Sequence, residues 1–289
     1  MATALSTWTD GYWWSNDGLR LHYRDDAGSS ERPPILCLPA LTRNARDFGT
    51  VAARLAPEWR VLVVDLRERG ESAYTRDAIT YVPLIYVQDI ERLLEDLGID
   101  RFVAFGTSLG GIVTILFAAT ARARLAGALL NDVEPNIETR GQDRIRGYVG
   151  RQGAYSTWLH AARRIAQSYA EVFPDYDLTD WLAMAKRLYR LPPNGRIVPD
   201  YDKKIAELFR LPAGEAVSDL WPALDTLASV PTLVVRGKLS DLLATATVEL
   251  MLGRLFAGTS VTVPRVGHAP VLDEPVASAA IDALLARVV

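Results

Sequence analysis

The sequence predicts an α/β fold with a mainly parallel sheet and helices on both faces. The first observation is a series of short, continuous apolar runs such as Ile35–Leu38, which are typical of strands buried on both faces. The second is that longer stretches with helical spacing alternate with these runs. The third is a central region, from 134 to about 221, that lacks strand-like runs before the alternation resumes at Pro231.

The first half of the chain alternates between strand and helix patterns. Two β-rich pieces, DGYWWS and LRLHYR, are separated by Asn16-Asp17-Gly18, which indicates a hairpin. His22 lies in the second piece and is interpreted as a structural strand histidine. The elements predicted next are strand 35–38, helix 48–55, strand 59–66, helix 82–97, strand 102–105, helix 112–118 and strand 125–130.

The second half opens with an aromatic-rich helical insertion. Helical spacing is found over 158–169, 178–189 and 205–209, and Pro-Pro-Asn-Gly at 192–195 interrupts it. The elements predicted after the insertion are strand 231–236, helix 245–256, strand 260–264 and helix 273–289. We therefore predict a core of residues 1–133 and 223–289, interrupted by an insertion of residues 134–222.

Composition narrows the class of partner. The formal net charge is −3 and 23% of residues are charged, so nothing calls for nucleic acid or an anionic membrane. Cys37, a lone cysteine, cannot form an internal disulfide and is expected to be a small core residue. No signal peptide or membrane-spanning run is recognisable, which predicts a cytoplasmic protein. The sequence shows neither a metal-ligand cluster nor a nucleotide-binding glycine motif, so no metal and no cofactor are predicted.

A glycine-flanked serine lies between a strand-like and a helix-like run. The segment GTSLG at 106–110 follows the apolar run 102–105 and precedes the run 112–118. Strand, G-x-S-x-G and helix, in that order, form the context of a nucleophile elbow, in which a strained turn exposes the serine. The alternative is a glycine-rich turn with a solvent-facing serine, but the context favours Ser108 as the nucleophile.

A serine nucleophile needs a base, and there are three histidines to choose from. His22 lies within a predicted strand and His160 within the insertion. His268 follows the last predicted strand in a Gly-His loop, so it is the base by elimination. Its carboxylate partner is assigned to Asp241, in the loop after the preceding strand, with Asp132 as the reserve acid. The alternatives are that Asp241 is a helix N-cap and His268 an exposed loop residue.

With these motifs, the chain resembles the α/β-hydrolase superfamily from about residue 19 to the C-terminus. The matching pieces are DLR at 65–67 with GES at 70–72, the segment 106–110, the loop 237–241 and VGH at 266–268. The resemblance implies a mostly parallel eight-stranded sheet and a helical cap inserted after strand six. It also implies an oxyanion hole formed by the backbone N–H groups of Leu41 and Leu109.

The chain departs from the family pattern at three places. Pro39-Ala40 stands where the family often has His-Gly. Glu68 occupies the usual glycine position of the D-x-R-G-x-G-x-S turn, and Glu134 is unusual just after the sixth strand. Both glutamates are interpreted as solvated surface charges, and the alternative is a functional carboxylate near the hinge of the cap.

The predicted activity is hydrolysis of carboxylic esters of small, largely apolar substrates through an acyl-enzyme. Four cap aromatics are predicted to form the substrate pocket, although packing within the cap is the alternative for each: Tyr155, Trp158, Trp181 and Tyr189. The same three catalytic groups would also suit a lactonase or a hydrolase of C–C bonds. A ligand-binding protein without catalysis is the third possibility. The predicted partner is a small-molecule substrate, and no oligomeric state is predicted.

Overall fold

The computed structural model describes residues 8–75, 77–136, 147, 149–208 and 219–288. One sheet of eight strands organises these residues. Its strands are β1 (Trp8–Trp14), β2 (Arg20–Asp26), β3 (Ile35–Leu38), β4 (Val61–Asp65), β5 (Phe102–Thr107), β6 (Leu125–Asn131), β9 (Thr232–Gly237) and β10 (Gly258–Val263). The strand order is β1-β2-β4-β3-β5-β6-β9-β10.

The sheet is parallel except at one edge. The β1–β2 hairpin is antiparallel, and β2 pairs antiparallel with β4. Every other neighbouring pair in the sheet is parallel. The predicted eight-stranded, mostly parallel sheet is thus confirmed. Because parallel strands share one direction, the ends of β3, β5, β6 and β9 lie at a common edge, where ligands bind in such folds.

Helices cover both faces of this sheet, and others lie in the segment between β6 and β9. In chain order the helices are α1 (Gly49–Leu55), α2 (Pro83–Asp96), α3 (Leu109–Ala121), α4 (Trp158–Tyr169), α5 (Leu178–Leu188), α6 (Ile205–Leu208), α7 (Trp221–Asp225), α8 (Thr245–Arg254) and α9 (Pro275–Leu285). One apolar cluster joins the sheet to α2, α3, α7 and α8, and a second joins the opposite face to α1 and α9. Alternate residues of the strands supply the two clusters, as the two-residue period of a strand requires.

The segment between β6 and β9 contains α4, α5, α6 and a short two-stranded ladder. The ladder pairs β7 (Tyr189–Arg190) with β8 (Val198–Pro199), two strands of 2 residues each, which are too short to appear as apolar runs in the sequence. A separate apolar cluster unites α4 and α5. The predicted bounds 134–222 stay a prediction, and the second bound falls inside α7, which begins at Trp221.

Two predictions from composition concern single features. Cys37 is fully buried in β3, and burial raises the pKa of its thiol. Within the described ranges, no helix has both the length and the apolarity needed to cross a bilayer. The cytoplasmic location stays a prediction.

Candidate active site

Ser108 lies at the sharp turn between β5 and α3. Its backbone is in the left-handed half of conformational space, with φ 50° and ψ −111°. A side chain could not be accommodated on either flanking glycine: a Cβ on Gly106 would lie 2.4 Å from the Gly110 carbonyl oxygen, and one on Gly110 would lie 2.0 Å from the Leu38 oxygen. The close approach expected from the G-x-S-x-G spacing is therefore present, and it holds Ser108 in a strained turn.

A row of three side chains crosses the carboxyl edge of the sheet. His268 Nε2 lies 3.1 Å from Ser108 Oγ, and His268 Nδ1 lies 2.8 Å from Asp132 Oδ2. The Asp132 side chain is fully buried, whereas the histidine side chain is 15% exposed. A hydroxyl, an imidazole and a carboxylate in this order are the groups of a serine hydrolase triad.

The carboxylate that faces His268 is Asp132, the reserve acid, and the assignment of Asp241 was wrong. Asp132 follows β6 directly with φ 50°. Its Oδ1 accepts a hydrogen bond from Gly237 N at 2.9 Å, and its Oδ2 accepts one from Ser240 Oγ at 2.6 Å. The loop after β9 therefore turns Ser240 inward to support Asp132, and Asp241, the next residue, is exposed.

The two residues predicted to supply the oxyanion hole lie in the neighbourhood of Ser108, since Leu109 follows it in the chain and Leu41 lines the same cavity. Leu109 is the first residue of α3, where N–H groups have no partner within the helix and the helix dipole is positive. Leu41 lies in a turn closed by a 3.0 Å hydrogen bond from Arg43 N to Ala40 O. Ala40 is not among the positive-φ residues of the described chain, so alanine fits where the family often has glycine.

The loop that carries Leu41 is anchored to the turn after β4. Ala45 N donates to Asp65 Oδ1 at 2.6 Å. The other oxygen, Asp65 Oδ2, lies 2.7 Å from His22 Nδ1. Burial alone would lower the pKa of His22, but the Asp65 carboxylate raises it, and the net direction is upward. His22 is thus a buried structural histidine, as the sequence predicts.

A cavity of about 70 Å³ opens over Ser108 and His268. The loop 40–43, called the oxyanion loop because Leu41 is predicted to supply an oxyanion N–H, and the loop after His268 form most of its wall. The wall is partly apolar, and its apolar members include Leu41, Phe48, Leu242, Val271 and Leu272. Tyr169, at the end of α4, also lines it. Most of these residues were not predicted from the sequence, although Leu242 is next to Asp241 and Val271 is close to His268, both of which were.

The four aromatic residues predicted to form the substrate pocket lie elsewhere. Tyr155, Trp181 and Tyr189 are buried in the apolar cluster of the cap, and Trp158 packs against it. None of the four lines the cavity over Ser108. The structure gives these four residues no part in the cavity over Ser108, and their packing agrees with the alternative, a role within the cap; Tyr155 and Tyr189 line a different cavity that they share with Tyr169. The helical spacing of Trp181 with Met184 and Ala185 is the signal of a face turned toward a core.

The interpretation of Glu68 as a solvated surface charge was also wrong. Glu68 is fully buried, as is the neighbouring Arg69, and its backbone φ is 67°. Its carboxylate accepts hydrogen bonds from Arg69 Nη1 and from the Tyr86 hydroxyl, the latter at 2.8 Å. Burial raises the pKa of Glu68 to about 7, against the opposing effect of Arg69. Glu134 is half-buried.

Comparisons with known proteins agree with the fold. The model of the alpha/beta hydrolase family matches residues 35–281. The 3-hydroxybutyrate-oligomer hydrolase of Cupriavidus necator is 32% identical over 267 residues, covering 89% of each chain. The crystal structure of an alpha/beta hydrolase from Novosphingobium aromaticivorans is 52% identical with a TM-score of 0.93, covering 98% of this chain and 100% of that one. A putative 2-succinyl-6-hydroxy-2,4-cyclohexadiene-1-carboxylate synthase of Bacillus subtilis is 23% identical, covering 90% of this chain and 92% of that one.

Proposed function

The chain belongs to the α/β-hydrolase family, and from that premise we propose that it is a serine hydrolase that cleaves carboxylic esters of small, largely apolar substrates. The observation that carries the proposal is the continuous row from Ser108 Oγ through His268 to Asp132, with both contacts within 3.1 Å. A binding protein would not need its serine hydroxyl at hydrogen-bond distance from a histidine that a buried carboxylate orients.

The proposed reaction begins with attack on the ester. Ser108 Oγ attacks the acyl carbon as His268 Nε2 accepts the hydroxyl proton. Asp132 holds Nδ1–H of the ring, which fixes the tautomer and stabilises the imidazolium. His268 then returns the proton to the leaving alcohol, and Ser108 is left acylated.

Stabilisation of the negative oxygen and deacylation complete the proposed cycle. The N–H groups of Leu41 and Leu109 are proposed to donate to the oxyanion of each tetrahedral intermediate. A water molecule, deprotonated by His268, attacks the acyl carbon, and the second tetrahedral intermediate expels Ser108 Oγ, which regains its proton from His268. The carboxylic acid product then leaves through the cavity.

The relative from Cupriavidus necator suggests a substrate class. An oligomer of 3-hydroxybutyrate is a chain of ester bonds. The relative from Cupriavidus necator carries that oligomer in its name. We therefore propose esters of short hydroxy acids as the substrate class, with the 3-hydroxybutyrate dimer as the first compound to assay.

The test combines covalent labelling with turnover. A fluorophosphonate should label the wild-type protein at Ser108, and p-nitrophenyl butyrate and the 3-hydroxybutyrate dimer should be hydrolysed. Ser108→Ala should lose both labelling and turnover while it keeps the wild-type melting temperature. A folded wild-type protein that is not labelled would instead indicate a binding protein.

A substrate panel tests the bond that is cleaved. Butyrolactone and a vinylogous dienoate are assayed beside the two esters at matched concentrations. We expect the highest kcat/KM with the short esters. A preference of tenfold or more for the lactone or for the C–C bond would replace ester hydrolysis with that activity while leaving the role of Ser108 unchanged.

A further inference from the structure

The turn after β4 contains a buried charged pair that the proposed mechanism does not use. Glu68 and Arg69 are both fully buried, and so is the ring of Tyr86 on α2, which packs beside them. Burial alone would lower the pKa of the Arg69 guanidinium, but Tyr86 and Glu68 raise it, so the side chain remains charged. A buried ion pair is an inefficient way to stabilise a fold, since apolar side chains of similar volume do so equally well. The pair therefore calls for another explanation.

Arg69 connects this turn to the loop that carries Leu41. Its Nε donates to the Leu41 carbonyl oxygen at 2.6 Å. Its Nη1 donates to the Arg67 carbonyl oxygen at 2.9 Å and to the Glu68 carboxylate. One rigid, planar group thus spans both segments, which a flexible lysine ammonium cannot reproduce.

A hydrogen bond to the Leu41 carbonyl oxygen can control the orientation of this loop. Leu41 and Thr42 are the central residues of the turn closed between Arg43 N and Ala40 O. Fixing the Leu41 carbonyl fixes the peptide plane that follows Leu41, and with it the direction of the turn. The N–H of Leu41 belongs to the preceding peptide of the same turn, so its aim at the oxyanion depends on that direction.

The turn around Arg69 is itself held rigidly. Tyr86 OH donates to Glu68 at 2.8 Å from α2. From the cap side, Asp202 N donates to the Glu68 carbonyl oxygen at 2.8 Å, and Gly70 N donates to the Asp200 carbonyl oxygen at 3.1 Å. The left-handed backbone of Glu68, with φ 67°, is strained in a residue other than glycine. Such strain is retained where the surrounding structure fixes it, often near functional sites.

We propose that Arg69 is a positioning residue of the oxyanion hole, which aims the Leu41 N–H through the Leu41 carbonyl, with Glu68 and Tyr86 holding its guanidinium. The inference rests on the proposed function, because it assigns a role within the same reaction. It predicts that loss of the guanidinium impairs the transition state more than the binding of substrate.

The experiment compares Arg69→Lys with Arg67→Lys. Both arginines are buried in the same turn, but the Arg67 side chain pairs with Asp89 and Asp17. Active sites are titrated with a fluorophosphonate, kcat and KM are measured with p-nitrophenyl butyrate, and Ki is measured with butylboronic acid, whose tetrahedral adduct occupies the oxyanion hole. For Arg69→Lys we expect kcat per titrated site to fall about 10- to 100-fold, below the full loss of one oxyanion donor. KM should change less than about threefold, and Ki for the boronic acid should rise in parallel with the loss in kcat.

The control separates positioning from folding. Arg67→Lys should lower the melting temperature but keep kcat per titrated site within about threefold of wild type. If Arg69→Lys behaves in the same way, Arg69 is only a structural residue and the inference is wrong. If Arg69→Lys does not fold, Arg69→Gln and Glu68→Gln are measured by the same titration, and unchanged kcat and Ki per site in the folded variant would also overturn it. A wild-type protein that neither turns over nor labels would refute the proposed function instead.

Discussion

Two groups of polar side chains meet the oxyanion loop, and they differ in access to solvent. The row of Ser108, His268 and Asp132 opens into a cavity at the histidine and serine end. The cluster of Glu68, Arg69 and Tyr86 is sealed, with each residue at most 1% exposed. In the row, the atoms that join Ser108, His268 and Asp132 all have hydrogen-bond partners. In the cluster, within the described part of the chain, Glu68 Oε2 and Arg69 Nη2 have none.

The contrast indicates two uses of buried charge. Asp132 is buried at one end of a row whose other end opens into the cavity over Ser108, where its charge could act on a proton transfer. Glu68 and Arg69 do not line that cavity, and their charges act on each other and on backbone carbonyls. We therefore expect changes in the row to affect the rate of the reaction and changes in the cluster mainly to affect stability and the geometry of the oxyanion loop.

The largest expected effect tests the row. Asp132→Asn should lower kcat by about 10³- to 10⁴-fold, because an amide stabilises the wrong tautomer of His268 and cannot stabilise the imidazolium. The matched control is Asp241→Asn, which should keep kcat/KM within about twofold, since Asp132 holds Nδ1. Steady-state kinetics with p-nitrophenyl butyrate measure both. The reverse order of effects would restore Asp241 as the acid.

The serine and the histidine that meet at the sheet edge could be predicted from the sequence, but the carboxylate that faces the histidine could not. Ser108 carries a local motif, and His268 is the one histidine in a loop at the end of a predicted strand. The choice between Asp132 and Asp241 depends on which residue of the loop after β9 turns inward, and the structure turns Ser240 inward instead. Ser240 and Asp241 are neighbours in the chain, and the sequence pattern does not show which of the two side chains turns inward.

The second effect concerns the cluster. Glu68→Gly restores the glycine of the family pattern and removes the strain at φ 67°. It also leaves the Arg69 charge buried without its carboxylate, which costs about 3–5 kcal/mol. Relief of strain returns about 1 kcal/mol, so we expect a net loss of about 2–4 kcal/mol in the free energy of unfolding. Urea denaturation measures it, and an increase in stability would show that the pair contributes nothing.

The burial of Glu68 could not be predicted from sequence, whereas the strands could. Strand positions follow from short apolar runs, whose burial is a local property, and β3 is found at the predicted bounds. The segment Arg67-Glu68-Arg69 is locally as polar as any exposed turn. Its burial arises from Tyr86 on α2 and from the cap segment at Asp200–Asp202, which are distant in the chain.

The third effect is the dependence of stability on pH. Burial raises the pKa of Glu68 to about 7 in the folded state, while an unfolded glutamate titrates near pH 4.3. The folded state therefore binds the proton more tightly, and its stability falls as the pH rises from about 4.5 to 7. Arg67, Arg69 and Tyr86 face this carboxyl, and the rings of Tyr74 and Tyr81 are near enough for the Glu68 charge to raise their pKa values.

Glu68→Gln isolates this contribution. The difference in free energy of unfolding between wild type and Glu68→Gln should change by on the order of 2 kcal/mol over that pH window, with the wild type losing stability relative to the variant. His22, whose pKa is also raised, is present in both proteins and cancels in the difference. Parallel curves for the two proteins would mean that Glu68 stays ionised throughout.

The smallest effect is expected for Tyr86→Phe. The change removes the 2.8 Å hydrogen bond from the Tyr86 hydroxyl to Glu68, but the carboxylate keeps its contact with Arg69. We expect a loss of about 0.5–1.5 kcal/mol in the free energy of unfolding, the usual net contribution of one intramolecular hydrogen bond. Because Arg69 keeps its donation to the Leu41 carbonyl, kcat per titrated site should fall no more than about threefold. A fall in kcat as large as that of Arg69→Lys would mean that the Tyr86 hydroxyl, rather than the Glu68 carboxylate, sets the position of the Arg69 guanidinium. The reaction rate would then depend on a single hydrogen bond in the sealed cluster as strongly as it depends on the guanidinium itself.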